Sequence, residues 1–361
     1  MKGLIIAPRC KFGRGPFNAL YFLKHIEGFK FLFYAINEIN NIRATERFLR
    51  VKAIAVNDER NHYVMQLLVK HIAEQLKPEY IISIAPELLT RLNERMLKRS
   101  LIIPQGFYEP IHFRFEPRGI AFLTTYPEIF YVSRHAGCYV AISKYMYKRI
   151  RDLLRPKKLA LIYNPIKEQF FQLGEKRIRT LKNPSKPILL YVGRLEKLKG
   201  VHKLIQWFHS VIKEFSDAEL HIVGDGSLLS YIYHMIYKLN LNKRAFIYGH
   251  VDSKHLYLLY KHSNILVTTS YWESFCLPVA EAAASAMPSV VREAYALKEH
   301  VKLGYAVGFK EDSAEAFTKA IGRAIDRYDK LAQTAYEISK ELFYPSVVAH
   351  RVLKILETLH D

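Results

Sequence analysis

Short apolar runs alternate along the chain with stretches of helical periodicity, and this pattern predicts two α/β domains. Residues 2–8 form an apolar run of strand length that leads through a glycine-containing turn into a helix-like stretch at 17–26. Residues 188–192 form a second such run, which leads through another glycine-containing turn into the amphipathic stretch 201–215. Two strand–turn–helix units in separate halves of the chain predict two doubly wound parallel sheets.

Further apolar runs predict the other strands of each sheet. In the first half these runs cover residues 51–56, 80–84, 120–125 and 139–143. In the second half they cover residues 219–223, 245–248, 265–269 and 289–292. Helical periodicity or turn residues separate many of the runs, as is typical of parallel sheets covered by helices. The stretch 167–187 has no clear period and predicts a linker, so we expect an N-terminal domain at 1–166 and a second domain at 188–340.

The charge of the chain is strongly positive and unevenly placed. The 361 residues contain 54 Lys and Arg against 34 Asp and Glu, a formal charge of +20. Residues 1–180 hold 31 of these basic residues and 15 of the acidic ones, and the densest basic segments are 91–99 and 144–158. The second segment has helical spacing, which is consistent either with a solvated basic helix face or with attraction to an anionic surface such as acidic lipid.

Composition excludes several classes of protein. No apolar run approaches the roughly 20 residues that a membrane-spanning helix requires. The N-terminal residues lack the apolar segment and cleavage site of a signal peptide, and three widely spaced cysteines suit free thiols in a reducing compartment. We therefore expect a cytoplasmic protein.

Metal and cofactor chemistry has little support in the sequence. The 15 histidines form no cluster with metal-ligand spacing, and the chain contains no Asp-x-Asp motif. The histidines are therefore interpreted as surface and packing residues, and neither a metal nor a resident cofactor is expected.

The turn after residues 188–192 carries the first group of candidate site residues. Gly193 permits close approach of a ligand to the backbone, Arg194 and Lys199 supply two cations, and the helix that follows presents free N–H groups. This combination suits a diphosphate. Alone it is weak, because glycine turns with surface lysines are common between strands and helices.

A second group surrounds a pair of glutamates. Glu273 precedes a helix whose start is marked by Pro278, and Glu281 lies in the first turns of that helix. If the whole span were helical, the two carboxylates would lie about 12 Å apart along the axis, which is comparable with the reach of a sugar diphosphate. A solvated helix face is the alternative for any isolated glutamate pair at this spacing.

Taken in order, these segments resemble the family-four retaining glycosyltransferases of the GT-B fold. Across residues 188–300 the resemblance rests on Gly193, Arg194, Lys199 and Gly200, on Val223-Gly-Asp-Gly226, on Gly249 with Val251, and on Glu273 to Glu281 as an E(x7)E motif. The resemblance implies two Rossmann-like domains that face a central cleft. It also implies that the C-terminal segment, 341–361, is a helix that crosses back to the N-terminal domain.

The resemblance assigns roles to individual residues. Arg194 and Lys199 would hold the donor diphosphate and neutralise its developing charge, Glu281 would bind the ribose hydroxyls, and Glu273 would orient the transferred sugar. The implied catalytic residues are Glu273, Arg194 and Lys199. The implied donor-binding residues are Gly13, Gly15, Gly193, Arg194, Lys199, Glu273, Phe275, Cys276, Leu277 and Glu281.

Some positions depart from the family pattern. Ser274, Cys276 and Ala286 stand where many members have glycine, which implies a tighter or differently shaped sugar pocket. The stretch 122–126 lacks the histidine that many members place at the end of a central strand of the first domain, and His135 is the candidate replacement.

The resemblance therefore implies a transferase that moves a hexose-type sugar from a nucleotide-diphosphate sugar to an unidentified acceptor, and the charge suits an acceptor that is lipid-linked or otherwise anionic. The basic N-terminal half adds the expectation of peripheral contact with an anionic membrane surface. One alternative, a nucleic-acid-binding protein, rests on charge alone and lacks a recognisable binding motif. The other alternative is a sugar-nucleotide epimerase on the same architecture.

Overall fold

A computed structural model describes residues 2–8, 20–26, 30–36, 52–56, 62–106, 129–184 and 186–359. The chain divides into two compact units. The first contains Met1–Pro165 together with Pro345–Asp361, and the second contains Ile166–Tyr344.

The described part of the first unit is built on a parallel sheet flanked by helices. Its strands are Lys2–Pro8 (β1), Lys30–Ile36 (β2), Lys52–Val56 (β3), Tyr80–Ser83 (β4), Ser100–Ile102 (β5), Cys138–Ala141 (β6) and Leu159–Leu161 (β7). They lie in the order β3-β2-β1-β4-β5-β6-β7, and all the pairings are parallel. Its α-helices are His62–Leu76 (α1), Glu94–Lys98 (α2) and Lys144–Leu154 (α3), and residues 129–135 are also helical.

The second unit contains a parallel sheet of its own. Its strands are Ile188–Val192 (β8), Glu219–Val223 (β9), Ala245–Gly249 (β10), Ile265–Thr268 (β11), Ser289–Arg292 (β12) and Ala306–Phe309 (β13). The order β10-β9-β8-β11-β12-β13 is that of a doubly wound nucleotide-binding sheet, in which the chain reverses its direction of growth between the first and fourth strands.

The second unit contains helices before, between and after these strands. They are Glu168–Arg179 (α4), Val201–Glu214 (α5), Leu229–Lys238 (α6), Ser253–His262 (α7), Leu277–Ala284 (α8), Leu297–Lys302 (α9), Ala314–Asp326 (α10) and Tyr328–Phe343 (α11). The final helix, Pro345–Glu357 (α12), belongs to the first unit, where it packs beside the 3₁₀ turn Tyr21–His25.

The core of the second unit follows directly from its apolar pattern. Leu189 and Leu190 of β8 are fully buried, as expected for a parallel strand covered by helices on both faces. Helix α5 buries a stripe of apolar residues at helical spacing, including Leu204 and Phe208. The prediction of two parallel-sheet α/β domains is thus confirmed.

The stretch 167–187, for which the sequence predicts a linker, is largely helix α4. This helix buries Phe170 and Phe171, and Gly174 lets it approach α8 closely. A Cβ atom at Gly174 would lie 2.2 Å from the carbonyl oxygen of Ala284, so the two helices touch through their backbones. Arg177 strengthens this packing by donating to the carbonyl oxygens of Ser285 and Tyr260, at 3.0 and 2.6 Å.

Candidate active site

The candidate residues of the second unit follow two neighbouring strands at the switch point of the sheet. Gly193, Arg194 and Lys199 follow β8, whereas Glu273 follows β11, and β8 and β11 are paired in parallel. Ligands of doubly wound sheets bind at the carboxyl ends of the strands, at the point where strand order reverses. The topology therefore brings the two sequence motifs to the same edge of the sheet.

The turn after β8 is held by its own backbone. The N–H of Gly193 donates to the carbonyl oxygen of Val223 at 3.0 Å, and a Cβ at Gly224 would lie 1.9 Å from the Gly193 carbonyl oxygen. The Tyr191 hydroxyl donates to the Arg194 carbonyl oxygen at 3.0 Å. The Arg194 side chain is 59% exposed and pairs with Glu196 at 2.6 Å, so the turn is rigid while its guanidinium reaches solvent.

Gly200 joins this turn to the loop after β11. Its φ of +68° lies in the left-handed region, which suits glycine at this point between Lys197–Lys199 and α5. A Cβ at this position would lie 2.2 Å from the Thr269 carbonyl oxygen, and the Thr269 hydroxyl donates to the Gly200 carbonyl oxygen at 2.9 Å. The two loops are therefore fastened together at this glycine.

Arg292 braces the same loop from the side of β12. Its Nε donates to the Thr269 carbonyl oxygen at 3.1 Å, and its guanidinium pairs with Asp312 at 2.8 Å. The guanidinium also lies 4.5 Å from the centre of the Tyr271 ring. These contacts restrain the segment that leads to Glu273.

Lys199 and Glu273 meet as an ion pair. The Lys199 Nζ lies 2.7 Å from Glu273 Oε1, and the two side chains are only 18% and 13% exposed. The pair joins residues 74 positions apart and fixes the direction of both groups. It places one cation and one carboxylate together at the carboxyl end of the sheet.

The residues between Glu273 and α8 adopt a restrained conformation. Cys276 has a φ of +72°, in the left-handed region that favours glycine, and it lies at the N-terminal boundary of Leu277–Ala284. The carbonyl oxygen of Phe275 accepts a hydrogen bond from His300 Nε2 at 2.6 Å. Because Nε2 carries the proton, Nδ1 accepts from the Tyr305 hydroxyl.

Burial keeps His300 neutral and thereby supports this arrangement. The histidine is buried, and desolvation lowers its pKa to about 4. The sequence predicts that the histidines are surface and packing residues, and it indicates no contact between His300 and the loop at Phe275. The pair is 25 residues apart, and no local motif marks it.

Glu281 lies on α8 in a second buried network. Glu281 is only 8% exposed, and the Tyr260 hydroxyl donates a hydrogen bond to its Oε2 at 2.9 Å. Burial raises the pKa of Glu281, while the hydrogen bond from Tyr260 and the positive charge of Lys167 act in the opposite direction. Burial in turn lowers the pKa of Lys167. Tyr260 is a site residue that the sequence does not predict.

The structure therefore brings together some of the predicted site residues. Lys199 and Glu273 are in contact, whereas Arg194 pairs locally with Glu196. His135, the candidate histidine of the first domain, contacts the Tyr131 carbonyl oxygen and Glu94, at 2.9 and 3.3 Å. Gly13, Gly15 and the stretch 122–126 lie outside the described residues.

Comparison with known families places the second unit. Residues 174–341 match the family described as Glycosyl transferases group 1. An uncharacterized glycosyltransferase of Methanocaldococcus jannaschii is 28% identical over 182 residues, which are 48% of this chain and 46% of the relative. The N-acetyl-alpha-D-glucosaminyl L-malate synthase of Bacillus anthracis is 25% identical over 229 residues, covering 61% of this chain and 58% of the relative. The chain thus matches about half the length of these relatives.

The fold is similar to that of solved structures. The structure of Anabaena HepE in complex with UDP is 16% identical, with a TM-score of 0.78 and coverage of 99% of this chain and 100% of that one. Another structure of the same protein contains UDP-glucose. At this level of identity the likeness concerns the fold alone.

Among the described residues, the structure contains no helix with the length and hydropathy of a membrane span.

The parallel sheets, the matched family and the structural neighbours all point to the same fold. Residues 174–341 match the glycosyltransferase group 1 family, and the fold is that of the GT-B glycosyltransferases.

Proposed function

We propose that the protein is a family-four retaining glycosyltransferase that transfers a hexose-type sugar from a nucleotide-diphosphate sugar. One observation carries this proposal. The Lys199–Glu273 ion pair lies where β8 and β11 end, within the residues that match the glycosyltransferase group 1 family, and Glu281 follows Glu273 at the spacing of an E(x7)E motif.

The two cations would act on the leaving diphosphate. Lys199 is restrained by Glu273, whereas Arg194 is exposed and can exchange Glu196 for a phosphate. As the bond between the sugar and the diphosphate of the donor breaks, negative charge grows on the diphosphate, and the two cations stabilise that charge more than they stabilise the bound donor. They would thereby speed departure of the nucleotide.

The carboxylates would position the rest of the donor. Glu273 is held by Lys199 and would accept hydrogen bonds from hydroxyls of the transferred sugar. Glu281 would accept from the ribose hydroxyls, and backbone groups of Phe275, Cys276 and Leu277 would lie against the sugar and phosphate.

The HepE structures with UDP and UDP-glucose support a nucleotide-sugar donor, because the same fold holds such a ligand there. We propose that the transfer requires no metal, since two cations of the chain already serve the diphosphate. Nothing in the matched relatives favours a nucleic-acid-binding protein or an epimerase.

We also propose that the acceptor is lipid-linked or otherwise anionic and that the protein makes peripheral contact with an anionic membrane. The support comes from helix α3, which exposes Lys144, Lys148 and Arg151 and contains a single acidic residue, Asp152. Each basic side chain near an acidic lipid surface contributes about 1 kcal/mol. Binding to vesicles of phosphatidylglycerol but not phosphatidylcholine, weakened when these three residues become Gln, would support this contact. Equal binding by the wild type and the variant would refute it.

Turnover of defined donors tests the enzymatic proposal. The purified protein is incubated with UDP-, GDP- and ADP-linked hexoses, with and without EDTA, and release of the nucleoside diphosphate is measured. We expect one donor to be consumed, with no loss of rate in EDTA. Absence of binding and turnover across the panel would refute the proposed function.

A further inference from the structure

The carboxylate of Glu281 has a partner that the sequence motif does not include. A buried carboxylate without hydrogen bonds is costly, and Glu281 is almost fully shielded from water. The Tyr260 hydroxyl, 21 residues earlier, donates to Glu281 Oε2 at 2.9 Å. This contact joins α7 to α8 and determines which carboxylate oxygen is already engaged.

Packing and hydrogen bonds restrain the ring, the backbone and the hydroxyl of Tyr260. Its ring is fully buried and packs edge-on against Phe170, with the ring centres 5.0 Å apart. Its backbone carbonyl oxygen accepts from Arg177 at 2.6 Å. The hydroxyl has one proton to donate, and its distance to Glu281 Oε2 is shorter than its 3.3 Å distance to the Pro278 carbonyl oxygen. The position of the phenol is therefore set by packing before any ligand arrives.

We propose that Tyr260 is a positioning residue for nucleotide recognition, which holds Glu281 Oε2 so that Oε1 accepts the ribose hydroxyls. This inference rests on the proposed function, in which Glu281 binds the ribose. Tyr260 does not touch the nucleotide in this account; it acts through the orientation and charge of the carboxylate.

Two physical effects would follow from loss of the hydroxyl. The carboxylate would lose the donor that fixes its rotation, so ordering it would oppose ribose binding. The same hydrogen bond holds the pKa of Glu281 below the value that burial alone would give, so its loss favours the protonated acid. Both effects weaken contacts to the ribose and leave contacts to the phosphates unchanged.

The test compares ribose recognition in the wild type and in Tyr260→Phe. Calorimetry measures the Kd of UDP, GDP and ADP and of their 2′,3′-dideoxy analogues. For the nucleotide that the wild type binds, we expect removal of the ribose hydroxyls to weaken binding at least tenfold. We expect Tyr260→Phe to weaken the normal nucleotide about tenfold, because hydrogen bonds to charged groups are strong, and to leave the dideoxy analogue unchanged.

A double variant sharpens the test. If Tyr260 acts through Glu281, Tyr260→Phe added to Glu281→Gln should weaken nucleotide binding no further than Glu281→Gln alone. The matched control is Tyr139→Phe, which removes a hydroxyl from a fully buried ring in the first unit. That hydroxyl makes no hydrogen bond among the described residues, so binding should not change.

The outcomes separate this inference from the proposed function. A wild type that prefers ribose, together with an equal loss of affinity for both forms in Tyr260→Phe, would show a structural role for Tyr260 and overturn the inference alone. An unchanged preference in Tyr260→Phe would do the same. A wild type that binds none of the nucleotides would overturn the proposed function and this inference with it.

Discussion

His300 should make the stability of the second unit depend on pH in a defined window. Its pKa falls from an ordinary 6.5 to about 4 in the folded protein, chiefly because burial disfavours the charged ring. Lowering a pKa by one corresponds to about 1.4 kcal/mol of free energy, so the full effect is about 3 kcal/mol. Below pH 6.5 the unfolded chain binds a proton that the folded chain refuses. The contribution of neutral His300 to the free energy of unfolding is therefore fully present above pH 6.5 and is lost progressively as the pH falls to about 4.

Tryptophan fluorescence provides the assay. The chain has two tryptophans, Trp207 and Trp272, and both lie in the second unit. Urea unfolding is followed between pH 4 and 8 for the wild type and for His300→Gln, whose amide can still donate to Phe275 and accept from Tyr305. We expect the stability advantage of the wild type to shrink by about 3 kcal/mol over this range.

The exposed His255 supplies a matched control, because His255→Gln removes an imidazole from the surface of the same unit. Between pH 4 and 8, the difference in free energy of unfolding between the wild type and His255→Gln should change much less than the difference between the wild type and His300→Gln. If the free energies of unfolding of the wild type and His300→Gln depended on pH in the same way, the proposed effect of His300 would be refuted.

Three further outcomes follow from the site. Because burial raises the pKa of Glu281, its charged form opposes folding at pH 8, so Glu281→Gln should equal or exceed the wild type in thermal stability while binding the nucleotide more weakly; a marked loss of stability would contradict this. Gly200→Ala would place a Cβ 2.2 Å from the Thr269 carbonyl oxygen at a left-handed φ and should destabilise the second unit by about 3 kcal/mol in urea unfolding; a change below about 0.5 kcal/mol would contradict the geometry. Lys199→Met leaves Glu273 without its cation and should lower the initial rate of donor turnover about 100-fold, and an unchanged rate would remove Lys199 from the mechanism.

Local sequence patterns predict the buried strands and the proline-started helix of the second unit. The runs at β8 and β11 are mostly apolar because parallel strands are buried on both faces, and their positions agree with the structure to within one residue. Pro278 and the alanines after it predict helix α8, because proline suits the first turn of a helix and alanine favours helical structure. The sequence does not predict strands β2, β5, β7 and β13, and three of these have only three or four residues, too few to show a period.

Long-range contacts carry the parts of the site that the sequence does not predict. Tyr260 reaches Glu281, and His300 reaches Phe275, through the packing of separate helices against the sheet. Neither pair has a local spacing that would identify it. Arg194 shows the opposite case, because its motif is clear in the sequence but its exposed side chain pairs with a neighbour in the structure.

Nucleotide binding at the carboxyl ends of β8 and β11 is the central claim, and one titration tests it most directly. Thermal unfolding is measured with UDP, GDP and ADP for the wild type, Arg194→Ala and Glu281→Gln. A ligand present at 100 times its Kd should stabilise the wild type by about 2.7 kcal/mol. We expect one nucleoside diphosphate to stabilise the wild type and to stabilise both variants distinctly less. Stabilisation by none of the three, or by one of them equally in all three proteins, would contradict the account.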